Sequence, residues 1–361
     1  MLMNLRDFSS HHGTRGLALT LSCALILAIS SVGVAADAAV PASLPSLPEP
    51  VTSFGGAITD DGQLYAYGGH KADTHEWSLD TTSGKLHRLD LNKPGAAWET
   101  VGEGPKVQSP GLAAYGGKVY LIGGMQPQNK EGAKPELLSL SHAMVFDPTS
   151  KAWTKLPDLP EPRSSHEVAV LDGKLYVVGG WPLDTRKTEK KPDDAHAERG
   201  YHNTMLVLDL AKPDAWVSIS QPFQRRALSV VASNGKIYAL GGMNEKNEVT
   251  ADADVYDVKS GKWEKLPEIP IVSSKTKAFA TAACELDGRV LVSPAGGKVF
   301  ALTPDAKAWT EVGQLQTNRL FHQLEPWKNS QVIALGGSKG STPIDSVELV
   351  TIAPPATVSA K

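Results

Sequence analysis

Leu175-Tyr176-Val177-Val178-Gly179-Gly180-Trp181 is an apolar run that stops at a pair of glycines. Asp172-Gly173 stands just before it, the composition of a tight hairpin turn. The stretch therefore predicts a turn, a buried strand, and a second sharp turn that only glycine makes easily. The same arrangement recurs along the chain. Leu64-Tyr65-Ala66-Tyr67 runs into Gly68-Gly69, and Val119-Tyr120-Leu121-Ile122 into Gly123-Gly124. Ile237-Tyr238-Ala239-Leu240 runs into Gly241-Gly242, and Val332-Ile333-Ala334-Leu335 into Gly336-Gly337. A unit recurring at this spacing is the mark of a repeat architecture.

A second mark keeps phase with the first. Trp98, Trp153, Trp216, Trp263 and Trp309 each follow a short strand and a turn. Such a ring can fill the gap between adjacent wedge-shaped sheets. One unit departs from the pattern. After Arg289-Val290-Leu291-Val292-Ser293, Pro294-Ala295 replaces the glycine pair, and Gly296-Gly297 makes a tight hairpin into Val299-Phe300-Ala301-Leu302.

These residues resemble the kelch repeat, whose unit is a four-stranded antiparallel blade with Gly-Gly closing the second strand and Trp opening the fourth. The resemblance implies an all-β, six-bladed β-propeller over residues 37–353, with a flexible tail at 354–361. The last unit lacks one outer strand. Leu44-Pro45-Ser46-Leu47-Pro48-Glu49-Pro50 parallels Leu156-Pro157-Asp158-Leu159-Pro160-Glu161-Pro162, which follows an outer strand. Residues 39–44 are therefore expected to supply the missing strand and close the ring, removing an open edge.

The N-terminus reads as an address. Arg6 and Arg15 precede an apolar stretch from Leu17 to Val34, and Val34-Ala35-Ala36 offers small residues for cleavage after Ala36 or Ala38. Residues 1–36 are thus expected to be a signal peptide, giving a periplasmic or secreted protein without a membrane span in the mature chain. A retained anchor is the competing reading. Lipidation of Cys23 is another, although Thr20-Leu21-Ser22 fits a lipobox poorly. Cleavage leaves Cys284 alone, so no internal disulfide is expected. A net charge of −3 gives no footprint for nucleic acid.

In peptide-binding kelch domains the residue after Gly-Gly and the residues opening the inner strand face the ligand. Carried over, the resemblance implies a ligand site built from His70, His75, Met125, Ser164, His166, Trp181, His202, Arg226, Met243, Arg319 and His322. An aromatic plate with hydroxyls and arginine forks suits sugars or anionic groups. Arginines at such openings also commonly bond loop carbonyls. The histidines, His142 and His196 included, show no tight metal-ligand spacing, so no metal and no cofactor are expected. The long insertion from Leu183 to Gly200 alternates basic and acidic residues with little to bury, and is expected to be a mobile flap.

No Gly-x-Ser-x-Gly elbow, phosphate loop or zinc-type cysteine cluster is present. Galactose oxidases share the propeller but require a cysteine–tyrosine crosslink beside copper, and Cys284 has no evident tyrosine partner. The expected function is a non-enzymatic binding module for a carbohydrate or protein. The alternative is a mutarotase or epimerase acting on an acidic sugar such as a sialic acid. Glu325-Pro326-Trp327 through Gly337 is similar to the closing segment of the exported N-acetylneuraminate epimerases. In that case Arg226, His166 and Glu167 are the candidate groups.

Overall fold

A computed structural model describes residues 44–73, 75–187, 200–328 and 330–354, all within the unit Pro41–Lys361. The signal-peptide reading, residues 39–43, His196, the middle of the long insertion and most of the tail lie outside the described residues.

Among the described residues, five four-stranded antiparallel sheets and one three-stranded sheet follow one another. In blade one, Gly55–Ile58, Gln63–Tyr67, Lys85–Asp90 and Glu99–Glu103 pair in that order. The inner strands of the next five blades are Gly111–Tyr115, Ser164–Leu171, Ser229–Ser233, Ala282–Leu286 and Gln323–Trp327. Each inner strand touches the next, and Gln323–Trp327 returns to Gly55–Ile58. The molecule is a six-bladed β-propeller.

The apolar runs before the glycine pairs are second strands, buried on both faces. Leu64, Tyr65, Ala66 and Tyr67 are all almost fully buried, because each blade is covered by a neighbour on either side. Six hydrophobic clusters result, one between each adjacent pair of blades. The phased tryptophans span these gaps. Trp216 Nε1 donates to the Pro157 carbonyl at 2.8 Å, and Trp309 Nε1 to the Pro267 carbonyl at 2.9 Å, each in the exit loop of the preceding blade.

The seam between blades six and one obeys the same rule. Trp98 Nε1 donates to the Pro45 carbonyl at 3.0 Å. Leu47 N–H donates to Asp345 O, as Leu159 N–H does to Ser141 O; both acceptors stand two residues before a third strand. Leu47, Val51 and Phe54 join Ile333 and Leu335 of blade six to Leu64 and Leu89 of blade one. Blade six has three strands among the described residues, Gln323–Trp327, Gln331–Leu335 and Val347–Thr351.

A belt of six backbone hydrogen bonds closes the ring at its narrowest point. Ser53, Ser109, Ser165, Ala227, Ala280 and Phe321 occupy equivalent places, one per blade, just before or within the inner strand. Each donates its N–H to the carbonyl of its counterpart in the preceding blade, and Ser53 completes the circle on Phe321 at 3.3 Å. All six have φ between 49° and 54°, the left-handed region. That conformation costs a non-glycine residue roughly 1–2 kcal/mol, and the belt bonds and surrounding strands hold it in place.

Candidate functional site

The belt divides the axis of the propeller into three hollows. Above it lies a cavity of about 340 Å³. At its level is a neck of about 50 Å³, and below it a channel of about 260 Å³. The cavity and neck share Ser53, Ser109, Ser165 and Phe321, while the neck and channel share Glu167 and Gln323.

Position relative to the belt decides where a side chain goes. The residue one before it points up. Thr52, Gln108, Arg226, Phe279 and Leu320 all line the cavity. Across the ladder, four of these or their blade-three counterpart Ser164 face the residue after a glycine pair: Thr52 pairs with His70, Gln108 with Met125, Ser164 with Trp181, and Leu320 with Ser338. Arg226 pairs in the same way with Met243. Blade five lacks the glycine pair, and Phe279 fills its place, edge-on to Phe321 at 5.4 Å.

The residue two before the belt points back into the blade. Arg163, Arg225 and Arg319 are each 1% exposed. Arg163 Nη1 donates to Gly179 O and Thr204 O; Arg225 Nη1 to Gly241 O and Asp252 O; Arg319 Nη1 to Gly336 O and Ser346 O. These arginines clamp the glycine-pair turn to the start of the third strand. Arg319 is further paired with Glu348, and Arg225 with Asp254 at 2.5 Å. Val51, Val107 and Ala278 stand at the same place in the other blades.

The residue after the belt is buried between blades. His166 and His322 lie there, 1% and 2% exposed, beside the neck. Burial holds the His166 imidazole well below its usual pKa and pushes His322 down to about 3. Glu167 and Glu325 face the channel, on blades three and six, which are opposite in the ring. Both side chains are half-buried by area, yet enclosed by the inner strands, and desolvation pushes both carboxyls up to about 8. Cys284 also lies on the channel wall, a buried free thiol as expected.

Of the sequence candidates, the structure brings His70, His75, Met125, Trp181 and Arg226 to the cavity. Met243 stands behind Arg226, its Sδ accepting from Nη2 at 3.2 Å. The others do not reach it. Ser164 exchanges a hydrogen bond with Ser139 at 2.7 Å in the core. His202 is 5% exposed, with Nε2 3.0 Å from Pro162 O. Arg319 is a clamp, and His166 and His322 are interblade side chains. His166 and Glu167, the suggested companions of Arg226, lie below the belt instead. Among the described residues no three His, Cys, Asp or Glu side chains form a metal-holding group.

Two further expectations are corrected. Trp181 is 4% exposed rather than an open plate, packed with Leu137, Leu183 and Tyr201. The start of the long insertion is anchored: Leu183 is buried, and Thr185 Oγ1 accepts the Leu137 N–H at 2.8 Å. A single apolar residue suffices there because it drops into an existing cluster. Trp77 and Phe279 were missed, and of the opening Arg319 to His322 it is Leu320 and Phe321 that reach the cavity; the one-before-belt offset seen at Thr52 and Arg226 would have found Phe279.

Arg226 dominates the electrostatics of the cavity. Its Nε donates to Tyr201 Oη at 2.9 Å, and its guanidinium carbon lies 4.6 Å from the Trp181 ring centroid. Held on both sides, the fork is aimed rather than free.

A family model described as the KLHDC2/KLHL20/DRC7 Kelch-repeats domain matches residues 132–297. N-acetylneuraminate epimerase of Haemophilus influenzae (strain PittEE) is 24% identical over 77% of this chain and 87% of its own length. Beta-scruin of Limulus polyphemus is 25% identical over 75% of this chain, and human Kelch-like protein 30 is 24% identical over 56%. The matched regions span only 29% and 39% of those two relatives. A solved structure titled "Structure of YjhT" superposes with a TM-score of 0.68 at 18% identity, covering 86% of this chain and 99% of that one. The chain is a kelch-repeat β-propeller, distantly homologous to the N-acetylneuraminate epimerases and to kelch proteins.

Proposed function

We propose that this chain is a mutarotase or epimerase of a carboxylated sugar, bound in the cavity above the belt. The observation that carries this reading is Arg226, laid over Trp181 inside a cavity whose wall also carries aromatic, hydroxyl and imidazole groups beside Gln108, Met125 and three leucines. A guanidinium fork matches a carboxylate with two parallel hydrogen bonds. Aromatic faces and short hydroxyls suit the two sides of a sugar ring. The epimerase of H. influenzae, aligned over 87% of its length, supports the same reading.

Anomeric exchange of N-acetylneuraminate, followed by NMR, tests it. Exchange above the buffer rate is expected. Arg226→Gln should raise the half-saturating concentration by about 10- to 100-fold, the worth of a charge-assisted pair, with the melting temperature unchanged. Binding without exchange would favour the alternative, a non-catalytic module for a carbohydrate or protein.

The reading includes export through residues 1–36 to the periplasm or medium, checked by N-terminal sequencing of secreted protein. It also includes closure of blade six by residues 39–44. The matching bonds of Leu47 and Leu159, and of Trp98 and Trp216, support that closure. Deleting residues 39–44 should expose the edge of Val347–Thr351 and lower the melting temperature; an unchanged value would remove the closing strand from the scheme.

A further inference from the structure

The six belt positions are alike in backbone and unlike in side chain. Blades one to three carry Ser53, Ser109 and Ser165; blades four to six carry Ala227, Ala280 and Phe321. The three serines are half-buried and line both the cavity and the neck. Their hydroxyls are unpaired among the described residues without being sealed off, so each opens onto the hollow that it lines. The belt itself does not need them. Its bonds are made by backbone groups, and Ala227 and Ala280 hold the same conformation, with φ of 50° and 52°, and carry no hydroxyl. One half of the cavity floor is thus a row of free hydroxyls. The other half is hydrocarbon, with Phe279 edge-on to Phe321 at 5.4 Å.

Arg226 stands at one end of this row. It immediately precedes Ala227, whose N–H donates to the Ser165 carbonyl at 2.8 Å. Ser165 N–H donates in turn to Ser109 O at 3.1 Å, and Ser109 N–H to Ser53 O at 2.6 Å. The order round the axis is therefore a cation and then three hydroxyls, on neighbouring blades. We propose that Ser53, Ser109 and Ser165 are the hydroxyl-reading arc of the site, and that its ligand is an acid with a run of hydroxyls on the carbons beyond its carboxylate. This rests on the epimerase reading above, whose substrate class it narrows.

With the carboxylate on Arg226, the carbon next to it lies nearest Ser165, and the polyol part runs on toward Ser109 and Ser53. The C–H face of the ligand turns to Phe279 and Phe321. A serine hydroxyl both donates and accepts, so each can meet a sugar hydroxyl in either sense. An acid without hydroxyls would strip water from the arc and return nothing, leaving its hydroxyls unpaired. The arc therefore selects by rejection as well as by attraction.

The test is calorimetric binding of N-acetylneuraminate and of cyclohexanecarboxylate, an acid with no hydroxyl, to the full chain and its variants. Alanine already holds the belt conformation at Ala227 and Ala280, so Ser→Ala variants should keep the fold and the melting temperature. Ser53→Ala combined with Ser109→Ala should weaken N-acetylneuraminate about 10- to 100-fold, the worth of two neutral hydrogen bonds. The same double variant should bind cyclohexanecarboxylate as tightly as wild type or more tightly, whereas Arg226→Gln should weaken both acids. Unchanged binding of N-acetylneuraminate by the double variant overturns the arc, while anomeric exchange by the wild type still upholds the epimerase reading. Equal weakening of the two acids also overturns it, because the serines would then only shape the cavity. Discrimination as expected but no exchange by the wild type would overturn the epimerase reading alone. A wild type that binds neither acid removes both.

Discussion

The cavity above the belt and the channel below it are built from the same inner strands, yet their linings differ in kind. Above, the position before the belt puts Thr52, Gln108, Arg226, Phe279 and Leu320 on the cavity wall, a hydroxyl, an amide, a cation, an aromatic ring and an aliphatic chain, while Ser164 of blade three stays in the core. Below, four residues after the belt, equivalent positions carry Ala57, Ala113, Ala169, Val231, Cys284 and Glu325, mostly small and apolar. Small residues are needed where inner strands crowd together. A Cβ on Gly56, for example, would lie 2.8 Å from Gln323 Cβ and 2.9 Å from Glu325 Oε1. The repeat is kept where it must pack and varies where it lines the cavity, which is why the cavity is the better place to look for function.

The sharpest form of this contrast is between two adjacent residues. Arg225 and Arg226 differ by one place relative to the belt, and one clamps while the other faces the cavity. Asp254→Ala should cost about 3–5 kcal/mol, because it strands the buried Arg225 charge. Asp254 is itself 1% exposed, with Lys265 also within 3.1 Å. Arg226→Gln should leave the urea midpoint in place. A shift of less than about 1 kcal/mol for Asp254→Ala, the scale of a surface pair, would break the distinction between clamp and site.

The channel carboxyls give a smaller effect with a definite sign. Glu167 and Glu325 have pKa values raised to about 8, from 4.5 when unfolded. Below 4.5 both states are protonated. Between 4.5 and 8 the unfolded chain ionises while the folded one holds its protons, so stability falls with rising pH across that window. Wild-type melting temperature should therefore drop from pH 5 to pH 8. Glu167→Gln, Glu325→Gln should flatten the drop without changing ligand affinity in the cavity. A slope that survives in the double variant would assign it elsewhere.

The fold was legible because its determinants are local and repeated. Glycine pairs, turn dipeptides and phased tryptophans each report a geometric need that every blade shares. The candidate site was half legible. The residue after Gly-Gly is marked by the glycines themselves, so His70, Met125 and Trp181 were found. The inner-strand openings carry no such mark, and a slip of one residue put Arg319, a clamp, beside Arg226. The belt fixes that register, but it consists of backbone bonds between residues 40 to 60 apart or more, which leave no pattern in side-chain chemistry. Phe279 was overlooked for the same reason.

The smallest effect concerns Cys284, and it probes how closed the channel is. Its side chain lies on the channel wall yet is 6% exposed. Burial, with the carboxyls of Glu325 and Glu285 adding to it, holds the thiol well above its usual pKa. Thiol reagents attack through the thiolate, so reaction requires both deprotonation and access. In a Cys23→Ser background, a disulfide reagent at pH 8 should label the native protein far more slowly than the urea-unfolded chain. Cys284→Ala should change stability by only about 1 kcal/mol, since it removes one small buried group and no hydrogen-bonded partner. Replacing Glu325 by Gln removes one source of the raised pKa and should speed native labelling slightly. Labelling of the native wild type as fast as the unfolded chain would mean that the channel admits solvent freely. The raised carboxyl pKa values, and the pH slope drawn from them, would then have to be abandoned together.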